Sequence, residues 1–221
     1  GTYEVLIDEE DIGLVAKPSP EAPGLEVVPA TIDLSGAELQ LVDVKGRERR
    51  LRKALRKYLK NHDVDYVILD CPPSLGLLTL NALVAADEVL LPIQCEYYAL
   101  EGVTQLMRTI EAVRHAMNKE LRLGSILMTM FDGRTRLSTQ VDEEVRTHFA
   151  RETMSTRIPR SVRVSEAPSY SRSVLTYEPT SAGAVAYREA AAEFAKRHAC
   201  DEHSTNTSGV KHPDASDTKK G

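Results

Sequence analysis

Cysteine is scarce in this 221-residue sequence, and its few cysteines do not form a metal or disulfide framework. The three of them, Cys71, Cys95 and Cys200, make no C-x-x-C pair and leave an odd count. This arrangement argues against a zinc cluster or structural disulfides and favours a reducing cytosol. Net positive charge is also missing, because the formal charge is −5. The chain is therefore not a uniformly basic nucleic-acid binder.

Long apolar runs are missing too. The most apolar stretch, residues 77–86, is about half the length that spans a bilayer, and it carries Thr79 and Asn81. The sequence therefore predicts no membrane segment. The remaining composition, 42% hydrophobic and 28% charged, is that of a globular chain long enough for one large α/β domain.

A third absence is the glycine-rich phosphate-binding loop G-x-x-x-x-G-K-[ST]. No lysine follows any of the glycines that precede Asp70, which are Gly1, Gly13, Gly24, Gly36 and Gly46. Yet the segment DYVILDCPPSLG at 65–76 has an apolar run that ends in Asp70 and then in two prolines, which stop a strand or helix. A Walker B aspartate that holds Mg²⁺, usually through water, occupies such a strand end. Taken alone, the run is equally compatible with a buried strand followed by a turn.

Apolar strand-like runs alternate with helical periodicity along the chain, which is typical of parallel βαβ units. The predicted strands are 25–29, 66–69, 88–93, 125–130 and 153–158. Apolar helix stripes are predicted at Leu100, Val103, Met107, Ile110, Val113 and Met117, and at Leu137, Val141, Val145 and Phe149; further helices are predicted at 77–85 and 184–197. The predicted fold is α/β, a doubly wound, mostly parallel sheet flanked by helices. Residues 1–199 form the predicted domain, and the polar residues 200–221 a disordered tail.

The last four predicted strands each end in chemically distinctive residues. These ends are Asp70, Gln94, the pair Phe131 and Asp132, and the pair Pro159 and Arg160. Ligands bind at the carboxyl edge of open parallel sheets, so we expect these residues to meet at one site.

Several segments in register carry a family resemblance. They are VPATIDLSGAE at 28–38, DCPPSLGLLTLNAL at 70–83, LPIQCEYYALEG at 91–102, LMTMFDGRTRL at 127–137 and IPRSVRVSEAPS at 158–169. Together they resemble the ParA/Soj family of chromosome and plasmid partition ATPases, from about residue 2 to about residue 196. The resemblance implies a P-loop NTPase-like fold.

The chain departs from this family at its amino end. Family members open with K-G-G-x-G-K-[ST], followed after a βα unit by D-x-D-P-Q, whose aspartate orients the attacking water. Neither motif is present, and two βα units of about 30 residues each predict about 60 residues upstream of residue 1. The chain is therefore interpreted as a fragment that lacks its P-loop strand, and the catalytic residues are expected upstream of residue 1.

The resemblance also implies a set of nucleotide contacts. Asp70 is expected to hold Mg²⁺ through water, and Pro72 belongs to the loop that senses the γ-phosphate. The remaining expected contacts to ATP are Gln94, Met130, Asp132, Pro159 and Arg160, of which the last four surround the adenine. Pro159 has the simpler alternative role of a strand terminator.

Basic residues form two groups. Nine Lys or Arg lie between residues 45 and 60 against one acid, Glu48; most of these charges are interpreted as the solvated back of a helix whose apolar face is Leu51, Leu55, Tyr58 and Leu59. Six arginines in or beside the loops after the fourth and fifth strands are better phosphate ligands, Arg134, Arg136, Arg157, Arg160, Arg163 and Arg172. By resemblance, Arg134 and Arg163 bind DNA without sequence preference.

The resulting hypothesis is a cytoplasmic, nucleoid-associated partition ATPase. ATP and Mg²⁺ would drive a homodimer onto non-specific DNA, and a ParB-like centromere-binding partner would stimulate hydrolysis. The alternative is a non-catalytic remnant that binds DNA or a partner. A third reading is a related ATPase of septum placement, cellulose secretion or conjugation. The DCPPSLG segment and a tail without an amphipathic helix argue against a membrane-bound MinD-like relative.

Overall fold

A computed structural model describes residues 1–97 and 99–205 of the chain. Its strands are β1 to β5, at Lys17–Pro18, Glu26–Val27, Glu88–Gln94, Arg122–Phe131 and Thr153–Pro159. Its α-helices are α1 to α10, at Thr2–Ile7, Ile12–Val15, Leu34–Leu41, Arg50–Leu59, Leu77–Ala85, Ala99–Ala116, Arg136–His148, Val162–Glu166, Val174–Tyr177 and Ala182–Thr205. Short 3₁₀ turns lie at Arg47–Arg49 and Ala167–Tyr170.

The central sheet is parallel, with the strand order β3-β4-β5. Its register pairs Gln94 with Thr129 and Phe131 with Pro159. The three carboxyl ends therefore lie side by side along one edge. This is the arrangement that α/β crossovers produce when each helix returns the chain to the start of the next strand.

Helices cover both faces of this sheet, because side chains alternate along each strand. Ile126 and Met128 of β4 point to a core that contains Val103 of α6 and Val145 of α7. The residue between them, Leu127, points to the opposite face. There it packs with Met154, Ile158, Ala186 and Ala190, which belong to β5 and α10. The predicted doubly wound α/β arrangement is thus confirmed.

The predicted helices are confirmed with small shifts at their ends. Helix α5 has the predicted bounds, and the stripe on α6 supplies the buried residues Val103, Ile110 and Val113. The last helix extends to Thr205, so it includes residues 200–205 of the predicted tail. The remainder of that predicted tail, 206–221, lies outside the described residues. Within the described part, none of the helices is long and apolar enough to cross a membrane.

One strand prediction was wrong, and another was confirmed only in part. Residues 66–69 form no strand, and Ile68 is 86% exposed; along the described chain, no strand pairs with the outer edge of β3. An apolar run gains a ladder only when a neighbouring strand supplies hydrogen bonds. Of the predicted strand 25–29, the two residues of β2 pair, antiparallel to β1. The predicted stripe on α4 also loses one member, because Leu59 is 42% exposed.

Candidate functional site

The carboxyl ends of β3, β4 and β5 surround a cavity of about 1030 Å³. Four of the residues singled out in the sequence line it, Gln94, Met130, Asp132 and Arg160. A backbone hydrogen bond from the nitrogen of Arg160 to the carbonyl oxygen of Phe131, 3.0 Å long, fixes the ends of β4 and β5 relative to each other. Concave sites of this size accommodate cofactor-sized molecules.

Most of the lining was not predicted residue by residue. The further lining residues are Leu91, Pro92, Ile93, Cys95, Glu96, Tyr97, Gly102, Val103, Thr135, Leu137 and Ser138. They lie along β3, just beyond its end, or in the first turns of α6 and α7. The usable signal in the sequence was their proximity to the strand ends, since chain that leaves a parallel sheet forms the walls of such a crevice.

Asp132 is one of three charged residues in the cavity lining, with Glu96 and Arg160. Its two carboxylate oxygens accept hydrogen bonds from Nε and Nη2 of Arg134, at 2.9 and 2.8 Å. The hydrogen bond from the Arg134 side chain, followed by one from its backbone nitrogen, lowers the pKa of Asp132 to about 2. At neutral pH this carboxylate is therefore ionised and can only accept hydrogen bonds.

The loop after Asp132 is fixed by capping of α7. The hydroxyl of Thr135 accepts a hydrogen bond from the backbone nitrogen of Ser138 at 3.3 Å and donates one to the carbonyl oxygen of Asp132 at 2.9 Å. Such an N-cap satisfies a backbone donor that the first helical turn leaves free. As a result, the chain turns sharply from β4 into α7, and the Asp132 carboxylate stays at the cavity wall.

Met130 adopts a strained backbone at the floor of this site. Its φ is 53°, in the left-handed region that costs a non-glycine residue about 1 kcal/mol or more. The strain occurs at the second-to-last residue of β4, where the register with β5 also shifts. Met130 is also part of the cavity lining, as is Asp132.

An ion-pair network joins α7 to β5 next to the cavity. Asp142 of α7 is buried and accepts hydrogen bonds from Arg157 of β5, at 2.9 and 2.7 Å, and from Arg146 at 3.0 Å. Burial by itself raises the pKa of Asp142, but the hydrogen bonds from Arg157 and Arg146 outweigh it and hold that pKa below its ordinary value. Arg157 also lies 5.4 Å from the ring centre of Phe131.

This network corrects one sequence interpretation. Arg157 was grouped with loop arginines that could reach phosphate, whereas it lies within β5, and its Nε and Nη2 both donate to the carboxylate of Asp142. The thiol of Cys95, in the cavity wall, is affected by the same buried setting. Burial, and then the charge of Asp142, raises the pKa of its thiol to about 11, so the thiol is neutral.

Three predicted nucleotide contacts do not line the cavity, namely Asp70, Pro72 and Pro159. Asp70 is exposed and follows an irregular segment, because the strand that should have placed it at the sheet edge is not formed. Pro72 contributes its carbonyl oxygen to the hydroxyl of Thr79 at 3.4 Å. Pro159 ends β5 opposite Phe131, which fits the simpler role of a strand terminator.

The two arginines implied in DNA binding lie on the surface beside this edge. Arg134 has a side chain that is 90% exposed, even though it pairs with Asp132. Arg163 of α8 is 55% exposed and pairs with Glu166 at 2.9 Å. Both guanidinium groups therefore reach solvent, and each already holds one carboxylate.

The side chains that the structure describes do not form a metal-binding cluster. Among them, no group of three or more His, Cys, Asp or Glu could hold a metal ion. A single exposed carboxylate such as Asp70 suits Mg²⁺ only in a hydrated form, since Mg²⁺ keeps several waters and uses one or two carboxylates together with phosphate oxygens.

The chain is similar to known proteins in both sequence and fold. A family described as an AAA domain matches residues 1–123. The chain is 48% identical over 193 residues to the sporulation initiation inhibitor protein Soj of Bacillus subtilis, covering 87% of the chain and 75% of Soj. It is 49% identical over 195 residues to the chromosome partitioning protein ParA of Myxococcus xanthus, covering 88% and 68%. The chromosome-partitioning ATPase Soj of Treponema pallidum is 43% identical over 195 residues, covering 88% and 76%.

Among solved structures, a similar fold is that of cobyrinic acid a,c-diamide synthase from Mycobacterium smegmatis with bound ADP and magnesium. The TM-score is 0.69 at 38% identity, and the match covers 86% of this chain and 68% of that one. The similarity therefore extends over most of the described elements.

Proposed function

This chain belongs to the ParA/Soj family of chromosome partitioning proteins, and we propose from that premise that its cavity is the base-binding part of an ATP site. The observation that carries the proposal is the meeting of Gln94, Met130, Asp132 and Arg160 around one cavity. These residues come from three different strand ends. A sheet that served structure alone would not need four dissimilar side chains at one point.

The cavity chemistry suits adenine. Met130 and Leu137 offer apolar surface to a ring, and the ionised Asp132 carboxylate can accept a hydrogen bond from an exocyclic amino group. Arg160 would contribute main-chain groups, and Pro159, which precedes it outside the lining, would terminate β5. Gln94 supplies an amide that can donate or accept.

The phosphate side of the site is proposed to involve Asp70 and Pro72. Asp70 would hold hydrated Mg²⁺, which would neutralise phosphate charge. Pro72 and its neighbours would form a loop whose conformation depends on the γ-phosphate, and helix α5 follows that loop directly. The hydroxyl of the buried Thr79 ties the loop to α5 through the carbonyl oxygen of Ser74, at 2.6 Å.

We propose that ATP hydrolysis requires the family's full set of motifs, and that these 221 residues alone do not hydrolyse ATP. The sequence contains neither K-G-G-x-G-K-[ST] nor D-x-D-P-Q, and positioned donors around the transferred phosphate provide most of the catalysis in this chemistry. Family membership supports ATP hydrolysis as the activity of such proteins. The same absence favours a second candidate function, in which the chain binds DNA or a partner without turnover.

DNA partitioning is the proposed cellular role. Arg134 and Arg163 would contact phosphates of non-specific DNA, with an affinity that falls as salt rises. ATP would drive a homodimer, a ParB-like partner would stimulate hydrolysis, and the protein would act in the cytoplasm on the nucleoid. ATP-dependent retention on non-specific DNA at low salt is the expected behaviour of the protein as produced in its cell. No retention there would overturn this role.

A cavity-filling substitution tests the nucleotide proposal. Gly102 of α6 lines the cavity, and a Cβ added there would meet nothing within 4 Å. Gly102→Phe should therefore fold and occupy the space of the base. Gly36→Phe is the matched control, because Gly36 is also helical, with nothing within 4 Å of an added Cβ, and lies outside the cavity lining.

The measurement is a fluorescence titration with a methylanthraniloyl derivative of ATP in the presence of Mg²⁺. Gly102→Phe is expected to weaken binding at least tenfold, while Gly36→Phe binds like the unchanged chain. Equal binding by all three proteins would place the nucleotide elsewhere. Undetectable binding by the unchanged chain would overturn the proposal that these residues form a base site on their own.

A further inference from the structure

A second concave surface lies on the far side of α4 from the apolar core. Six cationic side chains and one methionine line this basic groove, Arg49, Arg52, Lys53, Arg56, Lys57, Lys60 and Met117, and its volume is about 560 Å³. From the sequence, most of these charges were interpreted as the solvated back of a helix.

Helix geometry aligns the cations of the basic groove. Residues three and four apart lie on the same face of a helix, which is the spacing of Arg49, Lys53, Arg56 and Lys60. The opposite face cannot turn outward, because Tyr58 packs with Val5 and Ile12 and is buried. The row from residue 49 to residue 60 is therefore a fixed array about 16 Å long.

Acids neutralise part of this row. Lys53 pairs with Glu9 at 2.5 Å and Lys57 with Asp11 at 2.8 Å. Nη1 of Arg52 donates to the carbonyl oxygen of Met117 at 3.2 Å.

The remaining three cations, Arg49, Arg56 and Lys60, are all exposed, and no acid of residues 1–97 or 100–199 pairs with them. Like charges one helical turn apart repel each other. The array therefore weakens α4 unless an anion neutralises it.

We propose that the basic groove binds the phosphate backbone of duplex DNA. Phosphates of one strand succeed each other at about 3.4 Å along the duplex axis, so a rigid row of about 16 Å can follow about five of them. The groove lining has no aromatic side chain, so it offers no platform for unstacked bases, which single-strand binders use. The expected binding is independent of sequence.

The ligand class rests on the proposed function, but the surface is a separate one. Arg134 and Arg163 belong to the loop after β4 and to α8, whereas the basic groove belongs to α4 and the end of α6. DNA held at both surfaces would contact more phosphates than either surface alone provides. The salt dependence of binding counts such contacts.

The test measures the affinity of the 221-residue chain for a fluorescein-labelled duplex of arbitrary sequence, by anisotropy, over a series of salt concentrations. The groove variant carries Arg49→Gln, Arg56→Gln and Lys60→Gln. The control variant carries Arg108→Gln, Arg151→Gln and Lys196→Gln, which removes the same charge from exposed positions outside the groove.

The groove variant is expected to bind at least about tenfold more weakly at low salt, and the slope of log affinity against log salt should fall by about 2 to 3. The control variant should keep the slope of the unchanged chain. Equal slopes for the two variants would overturn the proposal. The same anisotropy assay is repeated with fluorescein-labelled oligoglutamate. If the groove variant loses oligoglutamate binding while its DNA binding is unchanged, the groove is a site for an acidic protein segment and the proposal is likewise wrong.

Two further measurements distinguish the groove inference from the proposed function and exclude misfolding of a variant as the cause of weaker binding. If the groove variant binds normally while Arg134→Gln with Arg163→Gln does not, the groove inference fails and the proposed function stands. Acetylation of lysines in the unchanged chain, read by mass spectrometry, needs no variant. Duplex DNA should protect Lys60 at least severalfold more than Lys196, and equal protection would refute the groove as the contact surface.

Discussion

Replacing Asp142, a buried carboxylate that pairs with two arginines, by asparagine should destabilise the fold. Asp142 is 3% exposed, and its carboxylate accepts hydrogen bonds from both Arg157 and Arg146. Asparagine keeps the volume but removes the charge, so two guanidinium groups lose their counter-charge. Breaking one partner of a buried ion pair costs about 3–5 kcal/mol when the other charge stays buried.

The exposure of the two arginines reduces this figure. The side chain of Arg157 is 38% exposed and that of Arg146 is 27% exposed, so both can recover part of their hydration. We therefore expect a loss of about 2–3 kcal/mol in the free energy of unfolding. For a chain of this length, that loss corresponds to a fall in Tm of about 4–12 °C.

Urea unfolding followed by far-UV circular dichroism is the appropriate assay, because the chain has no tryptophan. Glu143→Gln is the control, since Glu143 is the next residue on α7 and is exposed. A variant Asp142→Asn within about 0.5 kcal/mol of the unchanged chain would refute the reasoning, since surface substitutions already span that range.

The pH dependence gives an independent check. The folded pKa of Asp142 is depressed, so its stabilisation is fully present above the ordinary aspartate pKa of about 4 and is lost as the pH falls through the folded value. The stability difference between the two proteins should therefore be constant at neutral pH and shrink below about pH 4. A difference that grew on acidification would contradict the assignment.

Three further predictions follow from other contacts. Burial raises the pKa of the Glu193 carboxyl, but its hydrogen bonds, including one from Arg197, outweigh burial and lower the pKa to about 2. In Glu193→Gln, part of the acid sensitivity of folding should therefore disappear in urea titrations between about pH 4 and pH 2. After solvent screening, the substitution should lower the free energy of unfolding at neutral pH by about 1–2 kcal/mol. Gly183→Ala should destabilise by about 1–3 kcal/mol, since its Cβ would lie 2.5 Å from Cγ2 of Val164; unchanged thermal unfolding would refute this. A steady-state phosphate-release assay of the 221-residue chain should detect no ATP turnover, and turnover that Asp70→Ala abolishes would contradict the proposed need for the missing motifs.

The helices and the strand-end site could be predicted because local patterns in the sequence determine them. The bounds of α5 and the buried stripe of α6 follow from hydrophobic periodicity. The meeting of Gln94, Asp132 and Arg160 follows from parallel connectivity, because successive parallel strands bring their carboxyl ends to one edge.

The structure differs from the sequence predictions where a contact with a distant segment determines how a residue is placed. The run 66–69 has the composition of a strand but has no partner to pair with in the described chain, so Asp70 is not held at the sheet edge. Arg157 has the composition of a phosphate ligand but is held by Asp142, fifteen positions earlier in the chain. Pairings of this kind depend on the fold and leave no local pattern.

The two sets of proposed DNA contacts should differ in strength per residue for the same reason. Arg134 and Arg163 each already donate to a carboxylate, so a phosphate contact there exchanges one anion for another and leaves an acid unpaired. Arg56 has no such partner among the described residues, so its phosphate contact replaces only water and counterions. Because the net gain of a charged contact is the difference between its bound and free partners, the side chains that pair least within the protein gain most from an external polyanion. Exposure alone would have ranked Arg134, whose side chain is 90% exposed, among the strongest of these contacts, whereas pairing ranks it below the cations of the basic groove that lack an acid.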